Sequence, residues 1–317
     1  MADATTLNVG QVNGAGDRKA LFMKVWSGEV LTAFETQTKV LDKHIMRSIA
    51  SGKSASFPAT WKVTGGYHTP GAEIVGQASN VNERVITIDD LLLASVFIPN
   101  IDEAMNHFDY RSIYSNECGV FLANNMDKNV LQTAVLASRA AATVAGAFGG
   151  TQLTSSGTLY KTSAADLVAG FFAAAQAMDE KDIPEDKAKF GFLKPAQYYL
   201  LAGTPATLIN HVDYNGGAAN GSFAKAKVVE VAGVQLVKTN NLPTSNIASG
   251  PAAYQGDFTK TAALIMTADA VGTVKLLDLQ SESAYDIRRQ GTLMVSKYLV
   301  GHGILRPECA VELKTTS

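Results

Sequence analysis

From Ile101 to roughly Ala145 no proline interrupts the chain, and apolar residues recur at helical spacing: Met105, Phe108, Leu122, Met126, Val130 and Ala134, then Leu131 with Val135. A continuous helix over this stretch would run roughly 65 Å at 1.5 Å per residue. That exceeds the width of one compact domain of 317 residues. A spine of this kind predicts an extended, flat molecule. Pro99 ends the segment before it, and Asn100 followed three residues later by Glu103 gives a capping-box-like start. Gly119 marks a possible kink or break.

Upstream, residues 56–90 have a different period. Trp61 and Val63 alternate with Lys62 and Thr64, and Val85, Thr87 and Asp89 alternate with Ile86 and Ile88. Gly65, Gly66, Pro70, Gly71 and Gly76 lie between the two runs. The pattern predicts a long β-hairpin with an irregular, projecting tip. Two strands alone bury too little to be stable, so such an arm needs another surface to lie on. Residues 1–17 read as a disordered tail, and Ala20–Phe34 as two short helices or one helix with an extended arm. Leu41–Ile49 reads as helical, with Ile45 and Ile49 four apart.

Beyond the spine, Phe148–Tyr160 reads as a Gly/Ser/Thr linker and Ala164–Lys181 as a second helix ended near Pro184. Phe190–Leu193 is a short strand and Ala196–Ala202 a short helix. Asn210–Gly221 is a polar loop, and Val228–Val231 with Val234–Thr239 a hairpin turning at Ala232-Gly233. Ala263–Met266 is a buried strand, and Val274–Leu279, Leu293–Val300 and Ala310–Leu313 a closing sheet. The class is α+β.

Charge narrows the function. Charged residues are 18 % of the chain against 46 % hydrophobic, which leaves more surface suited to another protein. The net charge is −2, so the whole molecule is not a basic nucleic-acid binder. The stretch from Asp17 to Lys62, however, holds eight cations and four anions and is +4, which leaves −6 for the rest. A basic N-terminal segment on an acidic body suits a polyanion or an acidic partner. Cys118 and Cys309 are distant and lack neighbours at ligand spacing, which points to a reduced compartment. The chain does not open like a signal peptide, and its longest apolar stretch, Leu167–Met178, is too short to span a bilayer. The expectation is a protein made and used in the cytoplasm, or released by lysis, with no membrane partner.

No motif supports catalysis. Ser51-Gly52-Lys53-Ser54 resembles the end of a phosphate-binding loop, but Arg47 stands where that loop needs glycine. The simpler reading is a helix capped near Gly52. Glu103 and His107, with Asp102 and Asp109, could line one edge of a metal site, but no second cluster completes it, and helix capping with an i,i+4 pair is the simpler reading. His68, His211 and His302 are isolated, and Gly301-His302-Gly303 suggests a tight backbone approach. Arg288 and Arg289 follow Asp286 in a turn, as a local ion pair or a contact to another subunit. The expectation is no enzyme, no cofactor and no metal.

Several separate runs carry a resemblance. GDRKALFMKVWSGEVLTAF (16–34), RSIASGKSASFP (47–58), RVITIDDLL (84–92), IDEAMNHFDYRSIY (101–114), VGTVKL (271–276) and KYLVGHGILRPE (297–308) resemble the major capsid protein of T-seven-like podophages, of the autographivirus type. The resemblance implies the tailed-phage capsid fold first seen in phage Hong Kong 97. It also implies a division into an N-terminal arm (1–55), an extended loop (56–98), a peripheral domain with the spine helix (99–164), an axial domain (165–268) and peripheral return strands (269–317). A capsid subunit of this type builds pentamers and hexamers of an icosahedral shell around double-stranded DNA. It meets a scaffolding protein and a portal protein, assembles in the host cytoplasm and expands at maturation. The alternative within the same fold is an encapsulin-type compartment.

On this reading Phe57, Trp61 and Tyr67 of the loop, with Arg288 and Arg289, are the candidate inter-subunit contacts. Lys39, Lys43 and Arg47 are the candidate inward-facing basic arm.

Overall fold

Thr261–Thr267 (TAALIMT) is buried at all seven positions, which only an interior strand with both faces covered can be. The computed structural model containing it describes residues 20–63, 65–71, 73, 74, 76, 80–101, 110–203, 221, 222, 227, 228 and 230–316. The principal helices are α1 (Ala20–Gln37), α2 (Tyr110–Arg139), α3 (Ala164–Asp179) and α4 (Pro195–Ala202). The principal strands begin with β1 (Ile45–Ser48), β2 (Ser54–Thr60), β3 (Val81–Thr87), β4 (Leu92–Pro99), β5 (Thr151–Ser155) and β6 (Lys189–Leu193). They continue with β7 (Glu230–Val231), β8 (Val234–Lys238), β9 (Thr261–Thr267), β10 (Val271–Asp286), β11 (Gly291–Ile304) and β12 (Ala310–Thr315).

The chain divides into two compact units. One comprises 1–38, 89–126 and 276–300, and the other 39–88, 127–275 and 301–317. Helix α2 and strands β10 and β11 contribute residues to both.

In the first unit, β4 pairs antiparallel with β11 from Leu92↔Tyr298 to Pro99↔Gly291. Alternation sorts the pair into two faces. Ala94, Ile98, Met294, Ser296 and Tyr298 are buried, and Leu93, Phe97 and Leu293 are exposed. The Tyr298 hydroxyl donates to the Leu122 carbonyl at 3.2 Å, and its ring meets Phe34 edge-on at 6.1 Å, so the buried face looks toward α1 and α2. Gly119 does not break α2, which runs on from Tyr110 to Arg139. A Cβ there would come within 2.6 Å of both the Ala33 Cβ and the Val30 carbonyl, so glycine permits a close crossing with α1.

In the second unit, β9 lies within a six-stranded sheet of order β5-β12-β9-β6-β8-β7. It is antiparallel to both neighbours, β12 and β6, while β5 runs parallel to β12 and β8 parallel to β6. Ala232 and Gly233, both at positive φ (53° and 73°), turn β7 into β8. The core gathers Val130, Leu131 and Ala134 of α2, Leu167, Phe171 and Met178 of α3, and the apolar residues of β6, β9 and β12. One ion pair is fixed inside it. The Arg139 guanidinium donates to Glu312 at 2.8 and 2.6 Å, Thr261 donates to the same carboxylate at 2.7 Å, and the Arg139 side chain lies over the Phe258 ring. This pairing holds the Arg139 pKa above its ordinary value.

Five expectations change. The spine helix ends at Arg139, and the chain is irregular from 140 to 150, so the helix stops short of Ala145. Ile45–Ser48 is a strand, because β10 offers a parallel ladder from Ile45↔Gly272 to Ser48↔Lys275 that outweighs a weak helical pattern. Gly52 (φ 112°) therefore turns one strand into the next and caps no helix. The Gly/Ser/Thr stretch 148–160 is no plain linker, since Thr151–Ser155 forms sheet strand β5. Ala20–Gln37 is a single helix across Gly28. Residues 1–19, the 102–109 segment with Glu103 and His107, and the polar loop with His211 lie outside the described residues.

Candidate assembly surfaces

The hairpin is built by seven cross-strand pairs, from Ser54↔Thr87 to Thr60↔Val81. The Trp61 N–H extends the ladder by donating to the Asn80 carbonyl at 3.2 Å. Period two then assigns the faces. Ala55, Phe57, Ala59 and Trp61, opposite Ile86, Arg84, Asn82 and Asn80, form one face; Ser54, Ser56, Pro58 and Thr60, opposite Thr87, Val85, Glu83 and Val81, form the other.

The first face rests on the chain's own second unit. Asn82 and Asn80 donate their side-chain amides to the carbonyls of Thr143 (2.6 Å) and Ala145 (2.8 Å), and Arg84 donates to the Thr143 hydroxyl at 3.1 Å. Trp61 meets Phe148 edge-to-face at 5.8 Å and 82°. Lys62 pairs with Asp182. At the root, Ile86 is buried where β11 passes. A Cβ on Gly301 would lie 2.2 Å from the Thr87 carbonyl, and one on Gly303 2.7 Å from Ile86. The Gly-His-Gly spacing is thus a close backbone approach. Among the described residues the opposite face and the tip have no such cover: Val81, Val85, Val63, Tyr67 and Ile74 are all exposed, Tyr67 completely.

A cleft of about 440 Å³ opens at the hairpin's foot, lined by Phe57, Trp61, Arg84, Val144, Asp269 and Arg306 among others. Most of its charge is paired internally: Lys187 and Arg306 pair with Asp269, and Arg306 also pairs with Glu308 at 3.0 Å, which among the described residues leaves Arg84 as the cation without a carboxylate in the lining. No nucleophile and base meet there in hydrogen-bond range, so the cleft offers no catalytic constellation.

The other sequence-derived candidates are placed as follows. Asp286 Oδ1 accepts the backbone N–H groups of Arg288 (2.9 Å) and Arg289 (3.4 Å), and the Arg289 Nε lies 3.7 Å from Asp286 Oδ2. This local turn presents Ile287, Arg288 and Arg289 to solvent at the tip between β10 and β11. Lys43 pairs with Asp42 at 2.7 Å, which lowers the Asp42 pKa, and its ammonium lies 5.3 Å from the Phe190 ring centroid. Arg47 donates to the Ser56 carbonyl at 3.1 Å and lies over the Phe57 ring. Only Lys39 of the three has an exposed side chain without such an engagement among the described residues, while its backbone N–H is held by the buried Asp127 carboxylate at 3.0 and 3.1 Å.

The sequence reading missed the exposed apolar face of β4 and β11 in the first unit. Its signal was present in LLLASVFIP (91–99), where nearly every residue is apolar and two faces cannot both be core.

Residues 56–314 match the Gp10A-like family, described as major capsid protein. The chain is 33 % identical to the major capsid protein of Escherichia phage T7 over 94 % of this chain and 93 % of the relative. Among solved structures, the capsid of cyanophage P-SCSP1u aligns over 100 % of both chains with TM-score 0.79 and 37 % identity. The mature capsid subunit of bacteriophage PhiM1 shares the fold, with TM-score 0.75 at 21 % identity over 88 % of this chain and 87 % of that one. The fold is the Hong Kong 97-like fold of tailed-phage capsids. The open strand faces therefore belong to a shell-building subunit, and the chain belongs to the Gp10A-like family of phage major capsid proteins.

Proposed function

We propose that this chain forms the hexamers and pentamers of an icosahedral shell enclosing double-stranded phage DNA. The observation that carries the contact model is the two-faced hairpin. One face is docked on its own chain; the other, with Val81, Val85 and the tip residues Val63, Tyr67 and Ile74, is uncovered. Burying one such side chain contributes about 1.5–3 kcal/mol, a weak contact singly but a steep driving force when repeated over every subunit.

The segments then take these roles: 1–55 as arm, 56–98 as extended loop, 99–164 as spine and peripheral domain, 165–268 as axial domain, and 269–317 as peripheral return strands. Tyr67 lies on a neighbouring subunit, and Arg288 and Arg289 reach another from the β10–β11 tip. Phe57 and Trp61 act indirectly, since their own-chain contacts set the hairpin's angle. Lys39, with Lys43 and Arg47, faces inward toward a scaffolding protein and later DNA. Assembly takes place in the host cytoplasm around a portal, and the shell expands on maturation.

The test is electron microscopy of the chain expressed with its scaffolding partner, with a nucleic-acid assay on the same fraction. Uniform icosahedral particles that need the scaffold support the phage shell. Scaffold-free particles loaded with enzyme instead support an encapsulin-type compartment. Small monodisperse species at every salt concentration overturn both.

A further inference from the structure

In the second unit two histidines are buried together. His44 precedes β1 and His302 lies in β11, their ring centroids 6.5 Å apart and nearly perpendicular at 72°. His44 Nδ1 lies 2.6 Å from the Val40 carbonyl oxygen. A carbonyl only accepts, so Nδ1 carries the proton and Nε2 is bare. His302 Nδ1 shares a hydrogen bond with the Thr273 hydroxyl at 2.7 Å, and its backbone N–H donates to the Tyr254 hydroxyl at 3.0 Å. Both Nε2 atoms are buried without a hydrogen-bond partner among the described residues. A second proton on either ring therefore gives a buried imidazolium whose Nε2–H has no acceptor, and the two cations would repel.

What these rings hold is weakly attached by other means. All four side chains of β1 are exposed, so the strand is fixed by its parallel ladder to β10, by the Ile49 N–H to the Lys275 carbonyl at 2.9 Å and by the exposed contact of Arg47 with the Ser56 carbonyl and the Phe57 ring. Its buried anchors are Val40 and His44. A short edge strand with two anchors is the kind of element that opens locally.

We propose that residues 40–49 form an acid-released latch, in which protonation of the buried His44–His302 pair detaches β1 and uncovers the β10 edge at Gly272–Lys275. This does not depend on the shell reading. Burial pushes His302 down to about 3 and lowers His44 as well, with Asp42 on the same segment partly offsetting the latter. The groups facing the pair are Asp42, which Lys43 already engages, and the Tyr254 and Thr273 hydroxyls. The sign follows from linkage. Folded-state values below the ordinary value of about 6.5 make the closed state bind fewer protons, so closure weakens as pH falls below that value. Asp127, at the Lys39 end, has the opposite sign, because burial raises its pKa and acidification relieves its charge.

The experiment is amide hydrogen exchange of the full chain at pH 7.5 and pH 5, corrected for intrinsic rates, with histidine C2–H exchange on the same samples. For His302 alone, with values of 3 closed and 6.5 open, the opening constant of 40–49 rises about 30-fold at pH 5. Peptides from β9 stay protected, His302 titrates well below 6.5 and His44 below it, and His302→Gln reduces the 40–49 response to the part that His44 alone supplies. Should His302→Gln not fold, the two wild-type readouts decide. Histidines titrating near 6.5, or protection of 40–49 unchanged between the two pH values, overturns the latch.

Discussion

Strand β9 and the β2–β3 hairpin belong to the same unit, and all three strands have seven residues. In β9 every residue is buried; in β2 only Ala55 is. Composition does not separate them cleanly, since β3 carries Val81, Val85 and Ile86, as apolar as much of β9. What differs is how many faces the chain itself covers. Sheet neighbours, α2 and α3 close over β9, whereas the hairpin has one face on the 143–148 segment and one on solvent. The burial pattern of a strand thus counts its partners, and a missing partner in a lattice protein is a place for another copy.

The largest effects test the closed end of this comparison. Ile265→Ala, in a strand that cannot collapse around the void, costs about 4 kcal/mol. Chemical denaturation of the unassembled chain reads it directly, and a loss below about 1 kcal/mol would mean that β9 is not the centre of the core. Glu312→Ala leaves the Arg139 guanidinium without its carboxylate beside Phe258 and costs about 3 kcal/mol. The double variant Arg139→Met/Glu312→Leu recovers most of that loss if the pair fixes geometry more than it stabilises.

How much of this the sequence discloses follows the same division. Strong periodicity placed α2, the hairpin, β9 and the closing strands, because those segments alternate or repeat against a fixed interior. It failed at Ile45–Ser48, where every side chain is exposed and no buried face leaves a pattern, and at Thr151–Ser155, where small polar residues pair with β12. The candidate site was half legible. Alternation located the hairpin, but cannot say which face meets its own chain; that depends on Thr143, Ala145 and Phe148, some 60 to 90 residues away in sequence. Hence Phe57 and Trp61 lie on the docked face, although their place on an arm with no core of its own suggested exposed contacts.

The hairpin's docked face predicts an intermediate effect. Trp61→Ala removes a half-buried ring from Phe148 and lowers stability by about 1–2 kcal/mol. Its clearer signature is local: limited proteolysis of the unassembled chain should accelerate between Lys62 and Asn80 while β9 peptides keep their hydrogen-exchange protection. Equal loosening of both regions would mean that the hairpin has no separate foot.

The smallest folding effect belongs to the open face. Val81→Asn with Val85→Asn replaces two exposed side chains, and the stability of the unassembled chain should change by no more than about 0.5 kcal/mol. If that face awaits a second copy, the same variant loses at each subunit contact the burial that Val81 and Val85 would have supplied. Because the contact recurs at every subunit, a small deficit per site removes assembled particles almost completely. Analytical ultracentrifugation of co-expressed variant and scaffold separates the outcomes. Normal folding with no shell-sized species assigns the open face to the lattice. Normal folding with undiminished shells shows that this face stays bare in the particle and returns the contact to the tip, where Tyr67→Ala becomes the deciding variant. A variant that unfolds as far as Ile265→Ala removes the distinction between closed and open strands altogether, since exposure would then no longer predict what a residue is worth to the fold.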